Sequence, residues 1–155
     1  MDEYFIKHSF DLAEKSIELG GGPFGAVIVD EYNNVIGQGH NRVTLDNDPT
    51  LHAEMVAIKN ACQNRSSFNL SGCKLYTSCE PCPMCLSAIY WARINTVYYG
   101  NTREDAAVIG FDDSFIYDEI KKPIEERKIV MKQLCSTHAK KSFHDWINYD
   151  EKVKY

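Results

Sequence analysis

The stretch Cys79-Glu80-Pro81-Cys82-Pro83-Met84-Cys85, with His52-Ala53-Glu54 upstream of it, decides how this chain is read. Together the two motifs supply one imidazole, up to three thiolates and a spare carboxylate. Zinc binds nitrogen and sulfur in a tetrahedron, and a catalytic zinc keeps one position for water. His52, Cys82 and Cys85 fill three positions and leave Glu54 beside the fourth. A second reading is available, because Cys79-x-x-Cys82 is also a C-x-x-C pair. With Cys79 bound, the site becomes a closed structural zinc with no place for water. The open site is the one that gives Glu54 a task. Cys82 and Cys85 also straddle a proline-led helix start, whereas Cys79 ends a strand.

Working outward, the flanking sequence alternates strands and helices. Ile6, Phe10, Ala13 and Ile17 fall on one face of a helix over residues 3–19, stopped by Gly20-Gly21-Gly22-Pro23. Phe24–Val29 and Val35–Gly39 read as a hairpin around a turn at Asp30–Asn34. His40–Asp48 is polar and loop-like. Asp48-Pro49 supplies a helix start, an acceptor followed by proline, and His52–Cys62 follows as helix. Lys74–Ser78 is a strand, Pro83 to about Ala92 a helix, and Thr96–Gly100 a strand. Asn101–Phe115 reads as loop with a possible turn of helix. Ile129–Leu134 is a candidate last strand and His138–Tyr149 a last helix. This order implies an α/β sheet with helices on its faces.

Bulk properties bound the function. The 155 residues suit one domain, and 44% hydrophobic with 25% charged content is that of a globular protein. The formal net charge of -5 argues against a general nucleic-acid binder, because such affinity rests on Lys and Arg neutralising phosphates. No apolar run approaches the roughly 18 residues a spanning helix needs. Met1 to Glu18 carries Asp2, Glu3, Asp11 and Glu14 where an export signal has an apolar centre. The expected compartment is therefore the reducing cytoplasm, with the six cysteines as thiols or metal ligands.

His-x-Glu followed by Pro-Cys-x-x-Cys is the pattern of zinc-dependent nucleobase deaminases. The chain resembles the cytidine deaminase-like zinc fold over nearly its whole length, and within that fold the small bacterial guanine deaminases. Gly21–Val29, Asn47–Thr50 running into His52–Glu54, Tyr76–Cys85, Ala88–Arg93 and Gly110–Tyr117 carry the resemblance. It implies a three-layer α/β/α sandwich around a central five-stranded mixed sheet, as one zinc-dependent domain spanning 1–155. It implies one zinc per subunit on His52, Cys82 and Cys85, with Glu54 moving protons and Asp113 assisting the departing amine. Asn41 would bond the purine, Phe24 would stack on it, and Ala53, Trp91 and Tyr155 would line or close the pocket. It further implies a homodimer that exchanges a C-terminal segment of about 138–155, so that Tyr155 serves the partner.

The implied reaction converts guanine and water to xanthine and ammonia, in purine catabolism or salvage. Zinc would lower the pKa of a water toward neutrality, and Glu54 would relay the proton to a ring nitrogen and then to the amine. Rival substrates are guanosine, cytosine-type bases and adenosine in transfer RNA. The rival outside enzymology is a zinc-stabilised binding protein using the closed site.

Overall fold

The computed structural model describes residues 1–155. They form two compact units, Met1–Asp113 and Ser114–Tyr155. In the first, helix α1 (Asp2–Glu18) precedes strands β1 (Gly25–Val29) and β2 (Val35–His40). A short helix α2 (Val43–Asp46) and helix α3 (Ala53–Arg65) lead to β3 (Lys74–Cys79). Helix α4 (Pro83–Trp91), strand β4 (Thr96–Asn101) and helix α5 (Arg103–Val108) complete it. The strand order is β2-β1-β3-β4. β1 pairs antiparallel with both β2 and β3, while β3 and β4 run parallel across α4.

Alternation along β1 makes the three layers. Ala26 and Ile28 face a core built with Ala53, Ala57 and Ala61 of α3, Leu75 of β3 and Ile89 of α4. Val27 and Val29 face the other way, onto Phe5 of α1 and Tyr76 of β3. Successive strand side chains point to opposite faces, so one strand feeds both cores. Tyr76 is fastened further: its hydroxyl donates to Asp2 Oδ1 at 2.5 Å and its ring stacks on Tyr98.

Helix α3 lies unusually close on β2, and the reason is in the sequence. A Cβ on Gly39 would sit 2.7 Å from the Ala53 carbonyl, and one on Gly37 2.7 Å from Ala61 Cβ. Two glycines facing a row of alanines let backbone approach backbone. This seats the start of α3, and with it His52 and Glu54, against the sheet.

Several expectations change. The sheet has four strands, not five: Ile129–Leu134 is without regular structure, and Ile129, Val130 and Leu134 are all more than three-quarters exposed. Its apolar residues suit a strand, but no strand of its own unit pairs with it. The buried face of α1 is Phe5, Ser9, Ala13 and Ser16, with Ile17 exposed. Small residues win that face because α1 packs close, and Ser9 and Ser16 satisfy their hydroxyls on the Ile6 and Asn41 carbonyls. Helix α3 begins at Ala53, five residues after the expected Asp48 start. Asp48 Oδ1 instead accepts from both the amide and the hydroxyl of Thr50, a local turn that competes with a helix cap. The loop at 101–115 contains α5, whose Thr102 and Asp105 form a reciprocal capping box.

The second unit holds α6 (Ser114–Lys121), a 3-10 turn (Ile124–Glu126) and α7 (Ser136–Ile147). None of these three elements has a buried residue.

Candidate metal centre and active site

Two helix starts build the centre. His52 is the N-cap of α3, with extended φ/ψ of -67° and 157°. Cys82 is the N-cap of α4, with φ/ψ of -67° and 170° and Pro83 following. Neither side chain caps its helix. Both positions normally favour Ser, Thr, Asp or Asn, so stabilising chemistry has been set aside here. Cys85 lies in the first turn of α4, and unpaired N–H groups at such a mouth favour thiolate.

The ligand atoms of His52, Cys82 and Cys85 all lie within 4.8 Å of one another. His52 Nδ1 is 3.5 Å from each of the two sulfurs. Tetrahedral zinc with Zn–S near 2.3 Å and Zn–N near 2.0 Å separates its ligand atoms by about 3.5–3.8 Å. The three donors fit that ion in type and spacing. Electrostatics agree in direction. The Cys85 thiol, and next His52, hold Cys82 down to about 4 against the cost of burial. Cys85, acting as the donor in that pair, is pushed up by Cys82 and by burial. His52 is raised, mainly by its bond to Cys82.

Cys79 stands apart from this group. Its thiol points to the Thr102 carbonyl at 3.7 Å. Burial, and then the charges of Glu54, Glu80 and Asp113, push it up to about 11. A closed site with four protein ligands is not what these side chains build.

Glu54 is 6% exposed, and burial raises its carboxyl above the ordinary range. Thr77 Oγ1 donates to its Oε1 at 3.2 Å, and Cys85 Sγ lies 3.5 Å from its Oε2. A buried carboxylate beside a three-donor metal centre is poised for proton transfer. Asp113 is half-buried and also raised, by burial first and then by the negative charge of Cys82.

Asn41 is buried, and its Oδ1 accepts from Gly22 N–H at 3.4 Å and Val43 N–H at 3.2 Å. With that oxygen held by backbone, the side-chain NH2 is the group left to meet a ligand. The Asn41 N–H donates to the Phe24 carbonyl, and Phe24 packs on the α3 core. Ala53 is fully buried at the foot of α3. Trp91 is 64% exposed at the other end of α4 from Cys82, about 13 Å along the axis at 1.5 Å per residue. Within its own chain it is not brought to the centre. Tyr155 belongs to the second unit and is 75% exposed.

Two site residues escaped sequence reading. Thr77 was visible only as part of a strand, yet alternation from Leu75 places it on the face toward α3. Phe111 meets the Phe24 ring edge-on, centroids 5.0 Å apart at 85°. Only its place in Gly110-Phe111-Asp112-Asp113 hinted at a role.

The cytidine and deoxycytidylate deaminase zinc-binding region matches residues 1–101. The chain belongs to this family. It is 51% identical over 154 residues to the guanine deaminase of Bacillus subtilis strain 168, covering 99% of this chain and 98% of that one. The crystal structure of the Bacillus subtilis guanine deaminase superposes with a TM-score of 0.95 over the same shares. The tRNA-specific adenosine deaminase of Haemophilus influenzae is 35% identical over 136 residues, covering 87% of this chain and 79% of that one. Membership in a zinc-binding family makes this deaminase a zinc-dependent hydrolase, and the His52, Cys82 and Cys85 group is consistent with one zinc per subunit. No helix is long and apolar enough to cross a membrane.

Proposed function

We propose that this deaminase hydrolyses guanine to xanthine and ammonia, with one zinc per subunit held by His52, Cys82 and Cys85. The observation that carries the reaction class is Glu54, a buried carboxylate beside the three metal donors that none of them needs as a fourth ligand. The near full-length likeness to a guanine deaminase supports guanine as the base.

Zinc, when bound, supplies a water activated for attack near neutral pH. The remaining work falls to the chain. Glu54 takes the proton of that water, steadied by Thr77 on Oε1, and delivers it to a ring nitrogen of the base. The bond from oxygen to the amine-bearing carbon forms as the ring carbon–nitrogen double bond opens. The remaining proton of the attacking oxygen passes to the amine, the carbon–oxygen double bond forms as the carbon–nitrogen bond breaks, and ammonia leaves. Asp113 assists that last transfer from its half-buried position. Asn41 offers its NH2 to an acceptor on the purine, with Oδ1 occupied by Gly22 and Val43. Phe24 supplies an aromatic face, buttressed by Phe111.

The protein acts as a homodimer that exchanges the C-terminal segment of about 138–155, so that Tyr155 closes the partner's pocket. Support comes from the second unit: Phe143, Ile147 and Val130 are each more than 60% exposed, and helices with no buried face need another surface. The net charge of -5 disfavours a transfer-RNA substrate, although a tRNA-specific relative is similar.

The test offers the zinc-loaded protein guanine, guanosine, cytosine and adenine and measures ammonia. Release from guanine above all others is expected. A preference for any other base overturns the substrate, and full turnover in Glu54→Gln with zinc retained overturns the mechanism.

A further inference from the structure

Glu80 lies inside the metal motif, yet it does not join the donor group. Its side chain turns to the neighbouring strand-to-helix junction, where Oε2 accepts the Arg103 N–H at 3.1 Å. That N–H is one of the donors a helix start leaves without an intrahelical partner. The Glu80 N–H in turn donates to the Asn101 carbonyl at 2.8 Å. Two further bonds run the same way: Asn101 Nδ2 to the Ser78 carbonyl at 3.1 Å and Cys79 Sγ to the Thr102 carbonyl. Ser78, Cys79 and Glu80 are thus laced to Asn101, Thr102 and Arg103, the last of these being the first residue of α5. The lacing continues the β3–β4 pairing, which places Cys79 opposite Asn101.

Helix α5 leads to Asp113. Phe111 N–H closes back on the Ala106 carbonyl at 2.9 Å, and the Phe111 ring rests against Phe24. Helix α5 with the turn after it is therefore held at its start by Glu80 and at its far end by the ring pair. We infer that Glu80 is a positioning residue for proton transfer: by holding the first N–H of α5, it sets where Asp113 stands relative to the ligand loop. Cys79 shares that task through Thr102. Cys79 and Glu80, neither of them in the donor group, thereby tie the second carboxylate to the ligand loop.

This inference rests on the proposed role of Asp113. Its test is a double-mutant cycle on the zinc-loaded enzyme, with guanine as substrate and zinc content measured on every variant. Glu80→Ala is expected to lower kcat by about tenfold, with KM nearly unchanged and zinc retained, because small misplacements of a proton-transfer group are costly. Glu80→Gln keeps an oxygen for the Arg103 N–H and is expected to recover most of that loss. Once Asp113→Asn is present, adding Glu80→Ala is expected to cost little more, because residues acting through one group are not additive. Full additivity of the two substitutions, no rescue by glutamine, or loss of zinc from Glu80→Ala overturns the positioning role. Failure of the unmodified enzyme to release ammonia from guanine is a different result and brings down the functional reading itself.

Discussion

Thr77 and Glu54 meet across the β3–α3 interface, the threonine hydroxyl donating to Oε1 at 3.2 Å. The bond fixes one carboxylate oxygen and leaves the other on the metal side, beside Cys85. Thr77→Val keeps the shape and removes the donor. A hydrogen bond to a charged group contributes about 1.5–3 kcal/mol, so kcat is expected to fall at least about tenfold with zinc content unchanged. Steady-state kinetics beside metal analysis checks this, and wild-type kcat in the variant removes Thr77 from the mechanism.

The three cysteines of the motif should separate by metal content. Cys82→Ala and Cys85→Ala each delete a donor from the group and are expected to purify with little zinc. Cys79→Ala is expected to keep about one zinc per subunit, because three protein ligands satisfy an open site. Equal zinc loss from Cys79→Ala and Cys82→Ala would revive the closed structural site.

Gly39→Ala tests the seat of α3. Its new methyl carbon would stand 2.7 Å from both the Ala53 carbonyl and Val56 Cβ. Overpacking of this kind costs about 1–3 kcal/mol. Because the push lands on the first turn of α3, zinc affinity is expected to weaken with stability. Urea unfolding and a chelator competition measure the two, and an unshifted midpoint contradicts the close-approach argument.

A pH effect follows from the turn that enters His52. Bonds from the Thr50 hydroxyl and amide hold the Asp48 carboxyl below its ordinary 3.8. A depressed folded-state value contributes stability above the unfolded value, lost as pH falls through the folded one. The advantage of wild type over Asp48→Asn in Tm should therefore be full at neutral pH and close below about 4. A gap that is constant between pH 3 and pH 7 contradicts it.

Segment exchange has its own signature. Mixing Glu54→Gln subunits with subunits lacking Tyr155 should restore activity if Tyr155 serves the partner. One site of the hybrid then combines an intact Glu54 with the other chain's Tyr155. Co-refolding at equal concentrations is expected to recover roughly a quarter of wild-type activity, as half the molecules are hybrids with one good site of two. No recovery, with hybrids present by mass, places Tyr155 in its own chain's site or in none.

The sequence by itself determined the chemistry and much of the order of elements. His52, Glu54, Cys82 and Cys85 are legible because zinc accepts few donor types in few spacings, and proline or a polar residue at a helix start writes the mouth locally. The β1–β2 hairpin, β3, α4 and β4 were legible for a similar reason: alternation and turn residues act over a handful of positions. Contacts between distant segments were not written that way. Which face α1 buries depends on how closely it approaches the sheet, so Ser9 and Ser16 displaced Ile17. Asp48 looked like a helix cap until the Thr50 turn claimed it. The fifth strand failed for want of an edge partner in its own unit, which no run of apolar residues can supply. Only tertiary structure brought Thr77 to Glu54, set Phe111 against Phe24 and turned the Cys79 thiol to the Thr102 carbonyl, outside the donor group. The stretch from Cys79 to Cys85, together with His52-Ala53-Glu54, thus names the ion and the reaction. Which of its residues hold zinc, which hold Glu54 and which hold the neighbouring helix depends on side-chain direction, and packing alone decides that.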